Sequence, residues 1–208
     1  MSQHGAQGID PGRIEGEGGL EGMEGIFFLL IGAAIFSQAW YVLGLFSEGR
    51  TTGVLIAVLG LLTLGTFMFS TTITPTLISG EGSTELLTAL TALIALWAIY
   101  AIAVGTHGIW DLDTRAIGFY SAFLSVASLA VFLIFTISMA DGGVFEHSLD
   151  IWLSMSIVPF LLAIISGLVF FYMAFEYQVL RLVSGWFMLF GGAVIGLVGL
   201  WGLASVVS

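Results

Sequence analysis

The sequence predicts an all-α membrane protein with six transmembrane helices in one bundle, and three observations carry this prediction. Hydrophobic residues make up 58% of the chain and charged residues only 9%, whereas about 25% of residues are charged in soluble domains. The apolar residues form six stretches of roughly 20 residues or more, the length that crosses the hydrocarbon core of a bilayer. The polar breaks between these stretches are short, which forces neighbouring helices to run antiparallel. We therefore expect three consecutive antiparallel hairpins.

The chain divides into two predicted parts. Residues 1–24 are Gly-rich and acidic and contain no basic region followed by an apolar core. They are predicted to form a flexible tail and not a signal peptide. Residues 25–208 are predicted to form the six-helix transmembrane domain. Its apolar stretches cover residues 26–46, 52–74, 85–106, 116–139, 149–174 and 183–206.

Three arginines orient the predicted spans. Arg50, Arg115 and Arg181 lie in the first, third and fifth connections, whereas the second and fourth connections contain acidic residues and no Lys or Arg. Basic residues are enriched in cytoplasmic connections, so we expect a cell-membrane protein with both termini extracellular. The arginines are 65 and 66 residues apart, and each begins a similar Arg-x-x-(x)-Gly phrase. This period indicates three two-helix repeats, although evenly sized hairpins also space their connections evenly.

The composition excludes several classes of function. The chain has no cysteine and no lysine, so thiolate metal sites, cysteine nucleophiles and Schiff bases with retinal or pyridoxal phosphate are excluded. Its histidines, His4, His107 and His147, are scattered, and the spans contain no paired carboxylates and no Ser/His/Asp set. We expect neither a metal nor a cofactor, and no enzymatic activity. A net charge of −10 disfavours nucleic acid as a partner.

Uncharged polar residues remain as candidates for a function inside the membrane. Gln38 lies well inside the first span, where its amide must find partners or cost several kcal/mol. Ser121, Ser125 and Ser128 follow one face of the fourth span. Two interpretations of such hydroxyl groups stay open: they let helices pack closely, or they line a narrow pore that admits small uncharged solutes and rejects ions. Gln38 is the residue that most favours a pore.

Glycine and aromatic residues indicate packing and interface positions. The last span is predicted to carry a close-packing face, used within the bundle or between protomers. The glycines of this face recur at near-helical spacing: Gly192, Gly196, Gly199 and Gly202. Most aromatic residues near span ends are expected to be interface anchors, among them Trp97, Trp110 and Trp186.

Residues 112–123 (LDTRAIGFYSAF) resemble the central signature of a known family. This family is the small six-helix urea and amide channels, which include the acid-gated urea channel and the amidase-operon transporter. Tyr100 lies where the family carries a tyrosine in its third span. The spacing from Gln38 to Gly44 is similar to that between a family Asn and the Gly before the first loop.

The chain departs from this family at positions that set the choice of solute. Trp152 is the one tryptophan of the fifth span, where family members typically carry several. Gly191 stands where they have Glu or Gln in the sixth span, and Ile56 stands where they have Asn in the second. The resemblance is therefore closer in the scaffold than in the parts that select a solute.

The resemblance implies a membrane channel or facilitator for a small uncharged solute such as urea or a short-chain amide. It implies a pore through each protomer, in contact with the lipid bilayer, and a homo-oligomeric ring such as a hexamer. The residues expected to line the path are Gln38, Tyr100, Ser121, Ser125 and Trp152. Asp113 and Arg115 are expected to hold the cytoplasmic turn by a local ion pair.

Two alternatives stay open beside the channel. A non-transporting structural subunit of a membrane complex would also need six apolar helices, and altered selectivity positions would favour it. A continuous polar face on the first, third and fifth spans would count against it. A small monocarboxylate transporter of the acetate-uptake type ranks lower, because the Asn-Pro-Ala-Pro sequence expected of it is absent.

Overall fold

The structure, a computed structural model, describes residues 18–45, 48–73, 83–140, 149–175 and 177–207. These ranges contain six α-helices and no strand. The helices are α1 (Gly18–Leu43), α2 (Gly49–Ile73), α3 (Ser83–Trp110), α4 (Thr114–Ala140), α5 (Leu149–Ala174) and α6 (Gln178–Val207). All six are long and apolar enough to cross a membrane. The all-α prediction with six potential membrane spans is confirmed, and the chain has the make-up of a multi-pass membrane protein.

Helix α1 begins before the predicted first span. It starts at Gly18, inside the segment 1–24 predicted as a tail, whereas its span-forming part starts at Gly25. This extension combines three glycines, which disfavour a helix, with Leu20, Met23 and two glutamates, which favour one. A helix already nucleated by a long apolar segment gains one backbone hydrogen bond with each residue that it adds. Residues 1–17 lie outside the described part of the chain.

The six helices form one ring in sequence order, which α6 closes by packing against α1. The most extensive contacts join α2 to α3, α4 to α5 and α6 to α1, whereas contacts between helices linked by the arginine-bearing connections are smaller. We call the three extensive contacts the tight seams. The sequence predicted hairpins of α1 with α2, α3 with α4 and α5 with α6. The closest packing instead joins helices that belong to different hairpins.

Small residues make the tight seams close. A Cβ atom on Gly32 would lie 2.5 Å from the Gly196 amide nitrogen, and a Cβ on Gly105 would lie 2.5 Å from that of Ala57. At Gly118 the corresponding distance, to Ala174, is 2.6 Å. Backbones this close leave no space for a side chain and associate through dispersion and Cα–H···O contacts. The predicted glycine face of the last span therefore serves the α6–α1 seam within the chain.

Burial alternates along the chain. In the spans of α1, α3 and α5, 50%, 50% and 44% of the residues are buried, against 28%, 22% and 28% in α2, α4 and α6. The odd-numbered helices are therefore inner helices, and the even-numbered helices expose most of their surface, largely apolar, to the surrounding medium. This alternation has the same two-helix period as the arginine spacing.

The three arginine-bearing connections lie at one end of the bundle, which we call the arginine end. There the start of α2 packs on the end of α3, through Gly49 and Gly108, and the start of α4 packs on the end of α5. Gly44, with φ of +71°, ends α1 in a Schellman motif in which Gly44 and Leu45 donate to the Tyr41 and Trp40 carbonyls. The next carbonyl, that of Val42, accepts a 2.8 Å hydrogen bond from Arg181 Nε. The start of α6 is thus tied to the end of α1.

Candidate functional site

A buried polar pair joins two inner helices. Gln38 of α1 and Tyr100 of α3 are each 2% exposed. Gln38 Nε2 donates to the Tyr100 hydroxyl at 2.9 Å, and the same hydroxyl lies 3.4 Å from Gln38 Oε1. An amide without a partner in hydrocarbon costs several kcal/mol, so each side chain satisfies the other. The structure thus brings together two of the five residues predicted to line a path.

The pair extends toward α4. Trp97, one turn before Tyr100, meets the Tyr100 ring edge-on at 5.1 Å between centroids, and its indole nitrogen donates to Ser128 Oγ at 3.2 Å. Ser121 is fully buried beside the Tyr100 phenol, and its hydroxyl donates to the Ile117 carbonyl at 2.9 Å. Ser121, a predicted lining residue, therefore belongs to the same cluster as Gln38 and Tyr100.

Trp97 corrects the expectation for aromatic residues. It was expected to be an interface anchor, but it is 1% exposed and lies in the core, whereas Trp110 and Trp186 are exposed as anchors are. The sequence did contain a signal for this position. Trp97 precedes Tyr100 by three residues, which puts both side chains on one face of α3. Ser128 likewise follows Ser121 by seven residues, two turns along one face of α4.

Gln38 separates two small cavities. The Trp97 cavity is lined by Ile35, Gln38, Ile56, Thr63, Trp97 and Tyr100, among others. The His107 cavity lies toward the arginine end and is lined by Gln38, Tyr41, Thr52, Ile56, His107 and Met173, among others. Each has a volume of about 10 Å³, which is enough for about one water molecule. The interior is narrow on both sides of the Gln38 amide.

His107 was set aside in the sequence as one of three scattered histidines, yet it is 8% exposed near the end of α3. Its Nδ1 atom is buried and has no hydrogen-bond partner among the described residues. Hydrogen bonds and a ring contact join Ser128, Trp97, Tyr100 and Gln38, and His107 lines the same cavity as Gln38. We call these five residues the polar column. From Trp97 to His107 it rises about 15 Å along α3 at 1.5 Å per residue, half of the hydrocarbon thickness.

Ser125 lies apart from the polar column. Its hydroxyl donates to the Ala163 carbonyl of α5 at 2.8 Å, and a Cβ on Gly167 would lie 3.2 Å from its oxygen. These contacts belong to the α4–α5 seam. Of the two open interpretations of the serine face, close packing describes the observed contacts of Ser125, whereas Ser121 and Ser128 contact the column.

Trp152 lies in the first turn of α5, half-buried against the core. Its indole nitrogen is buried without a hydrogen-bond partner among the described residues, and so is the hydroxyl of Ser156, one turn later. Pro159 has no N–H, so the Met155 carbonyl loses its usual partner within the helix. This part of α5 therefore holds several polar groups with free hydrogen-bonding capacity, at a distance from Gln38 and Tyr100.

Asp113 and Arg115 meet at the start of α4. The Arg115 amide nitrogen donates to Asp113 Oδ1 at 2.9 Å, which makes Asp113 the N-cap of the helix. Asp111, with φ of +54°, donates its N–H to the His107 carbonyl at 2.7 Å and ends α3. The bond described between the two residues is a cap to the backbone, and their predicted ion pair stays a prediction.

The described residues contain no group of three or more His, Asp or Glu side chains that could hold a metal ion. The polar side chains described in the interior carry an amide, a phenol, hydroxyls, an indole and an imidazole. Compared with known proteins, the chain matches no protein-family model, no curated protein and no solved structure.

Proposed function

We propose that the chain is a membrane channel or facilitator for a small uncharged solute, such as urea or a short-chain amide. The observation that carries the proposal is the Gln38–Tyr100 hydrogen bond, buried between two inner helices with a cavity on either side. An amide and a phenol offer both donors and acceptors, which match the C=O and N–H groups of such solutes. The resemblance of residues 112–123 to the urea and amide channels points to the same solute class.

Neutral lining also explains which solutes are rejected. Among the described residues, neither cavity is lined by Asp, Glu or Arg. An ion that left water for this apolar interior would lose its hydration without compensation. A carboxylate solute would need a cationic partner, so the monocarboxylate alternative has no support here. In the described conformation the Gln38–Tyr100 bond closes the column, and a passing amide exchanges its own hydrogen bonds for this one.

We also propose the membrane in which the chain lies and the direction in which its helices cross it. The arginine end faces the cytoplasm, both termini are extracellular, and the six helices cross the cell membrane as three antiparallel hairpins. The positive-inside rule supports this orientation, because all three arginine-bearing connections lie at one end of the bundle. The lipid bilayer contacts the even-numbered helices, and the protomers associate in a ring through part of that surface.

Stopped-flow light scattering on proteoliposomes tests the proposal. Vesicles that contain the protein are challenged with urea, acetamide or glycerol, and the rate of volume recovery is compared with that of empty vesicles. We expect faster recovery with urea and acetamide and a smaller effect with the larger glycerol. Rates equal to those of empty vesicles for all three solutes would remove the channel from consideration.

A second function, a non-transporting structural subunit of a membrane complex, is favoured by one observation. Both cavities hold about one water molecule each, and the side chains of Gln38 and Tyr100 are bonded to each other. A subunit of this kind would give no flux, and it would copurify with other membrane proteins in amounts that match its own.

A further inference from the structure

We infer that His107 forms a second solute-binding site on the arginine side of Gln38, as a hydrogen-bond acceptor for the N–H groups of urea or an amide. The inference rests on the proposed function and deepens it. In this arrangement a solute that has passed the Gln38–Tyr100 bond is held between the Gln38 amide and the His107 imidazole before it leaves the protein.

The geometry of the His107 cavity carries this inference. Four helices surround the cavity, and Gln38 from α1 and His107 from α3 both line it. His107 Nδ1 is buried and has no protein partner among the described residues. A polar atom buried in this way is destabilising unless a water or a ligand supplies the missing bond. Of the cavity's lining residues, His107 is therefore the one with an identified need for a ligand.

The backbone around His107 restricts where its ring can go. On α2, Gly49 and Gly53 press against Gly105 and Gly108 of α3, and a Cβ on Gly53 would lie 2.7 Å from the Gly105 carbonyl oxygen. The α2–α3 seam is thus closed at the backbone on both sides of His107 in sequence. The walls of the cavity that can yield are side chains, Ile56 and Met173, and Met adapts readily to a guest.

A plain structural role for His107 predicts a different geometry. A histidine in the last turn of a helix commonly interacts with the helix dipole and the last carbonyl groups, and its ring then reaches toward water. Here His107 is 8% exposed, so its ring does not reach toward water. The neutral imidazole has one acceptor and one donor nitrogen, so an unprotonated Nδ1 accepts an N–H from a solute in the cavity.

Two variants of His107 distinguish the role of its hydrogen-bond acceptor from the role of its ring volume. His107→Leu keeps the volume and removes the acceptor, and it should lower urea and acetamide flux roughly tenfold, the loss of one buried hydrogen bond. His107→Asn places an amide oxygen near the Nδ1 position and should keep at least about half of the flux. Ser184→Ala is the matched control, because Ser184 is also buried and has no hydrogen-bond partner among the described residues, but lies on α6, outside the cavity lining. It should leave the flux unchanged.

The binding site is tested independently by ¹⁵N NMR of histidine-labelled protein in lipid nanodiscs, with the His107 resonances assigned from the His107→Asn spectrum. Added urea should shift the His107 Nδ1 resonance in a saturable way. If the wild type conducts urea while His107→Leu conducts equally and the resonance stays in place, the site is refuted and the channel stands. If His107→Asn loses as much flux as His107→Leu while both remain folded, the acceptor role is refuted. A saturable shift without flux in the wild type would support the site and refute the channel.

Discussion

The tight seams and the polar column are both built from long apolar helices, but the helices pack differently in the two regions. In the seams, backbone meets backbone at several glycines, where the distances to a virtual Cβ are near 2.5 Å. In the column, side chains meet around small cavities, and Nδ1 of His107 has no partner within the described part of the chain. The seam positions with these short distances tolerate no added atom, whereas the column retains hydrogen-bonding capacity for a guest. Glycine packing in the seams thus holds the ring closed, and the polar side chains of the column are the proposed binding groups.

The largest effect is expected from breaking a seam. Gly32→Leu puts a side chain where a Cβ alone would lie 2.5 Å from the Gly196 nitrogen, so we expect a loss of more than about 3 kcal/mol and little folded protein. Gly65→Leu is the control, because nothing lies within 4 Å of its virtual Cβ, and it should be neutral or slightly stabilising. Size-exclusion profiles in detergent after heating measure the difference. Equal melting of both variants would contradict the α6–α1 seam.

Removing the amide from the column should abolish transport and leave the fold intact. Gln38→Leu removes the donor and acceptor between the two cavities, and we expect urea flux to fall roughly 100-fold, the loss of two hydrogen bonds to a passing solute. Phe36→Leu, at a partly exposed position on the same helix, should conduct like the wild type. An unchanged flux in Gln38→Leu would take this residue out of the path.

A double-mutant cycle measures the coupling free energy between the Gln38 and Tyr100 side chains. Tyr100→Phe leaves the Gln38 amide without its partner and should cost about 1–3 kcal/mol of stability, as Gln38→Leu should by stranding the phenol. The double variant removes both polar groups, so its cost should be smaller than the sum by about 1 kcal/mol or more. Reversible unfolding in mixed micelles gives these values. Additive costs would mean that the two side chains do not depend on each other.

The smallest effect is expected from removing the Ser125 hydroxyl, which bonds across the α4–α5 seam. Ser125→Ala removes the bond to the Ala163 carbonyl and should cost about 0.6 kcal/mol, typical of hydrogen bonds between membrane helices, with flux unchanged. Ser121→Ala, one turn earlier and beside Tyr100, is the matched variant and should alter flux more than Ser125→Ala does. A larger flux change in Ser125→Ala would place this hydroxyl on the path and sharpen the boundary between seam and column.

The number and type of helices were predictable because composition and length decide them. A chain with 9% charged residues and six apolar stretches has few alternatives. The partnership of Gln38 was also predictable in kind, since a buried amide needs a bond, and Tyr100 supplies it. Both conclusions follow from the energetics of single groups in hydrocarbon and do not require knowledge of which helices pack together.

The helix pairing and the roles of His107, Trp97 and Ser125 were harder to predict. The short connections predicted that helices adjacent in sequence pack together. The closest packing depends instead on glycines of α2, α3 and α6. The sequence does not show which helix each glycine faces. Trp97 lies in the second half of α3, where an aromatic residue is as consistent with an interface as with a core. His107 acquires its significance from an unpartnered atom, which is a property of the packed structure.

The closure of the ring by α6 has a consequence for how the protein is made. The glycine face of α1 finds its partner in α6, the sixth of the described helices to be synthesised, and the Val42 carbonyl receives its hydrogen bond from Arg181. At a translation rate of about 5–20 residues per second, α1 waits roughly ten seconds or more for α6. During that time α1 relies on lipid or on the insertion machinery to cover its backbone. We expect nascent chains arrested before α6 to crosslink to that machinery through α1, and chains that already contain α6 to be released from it.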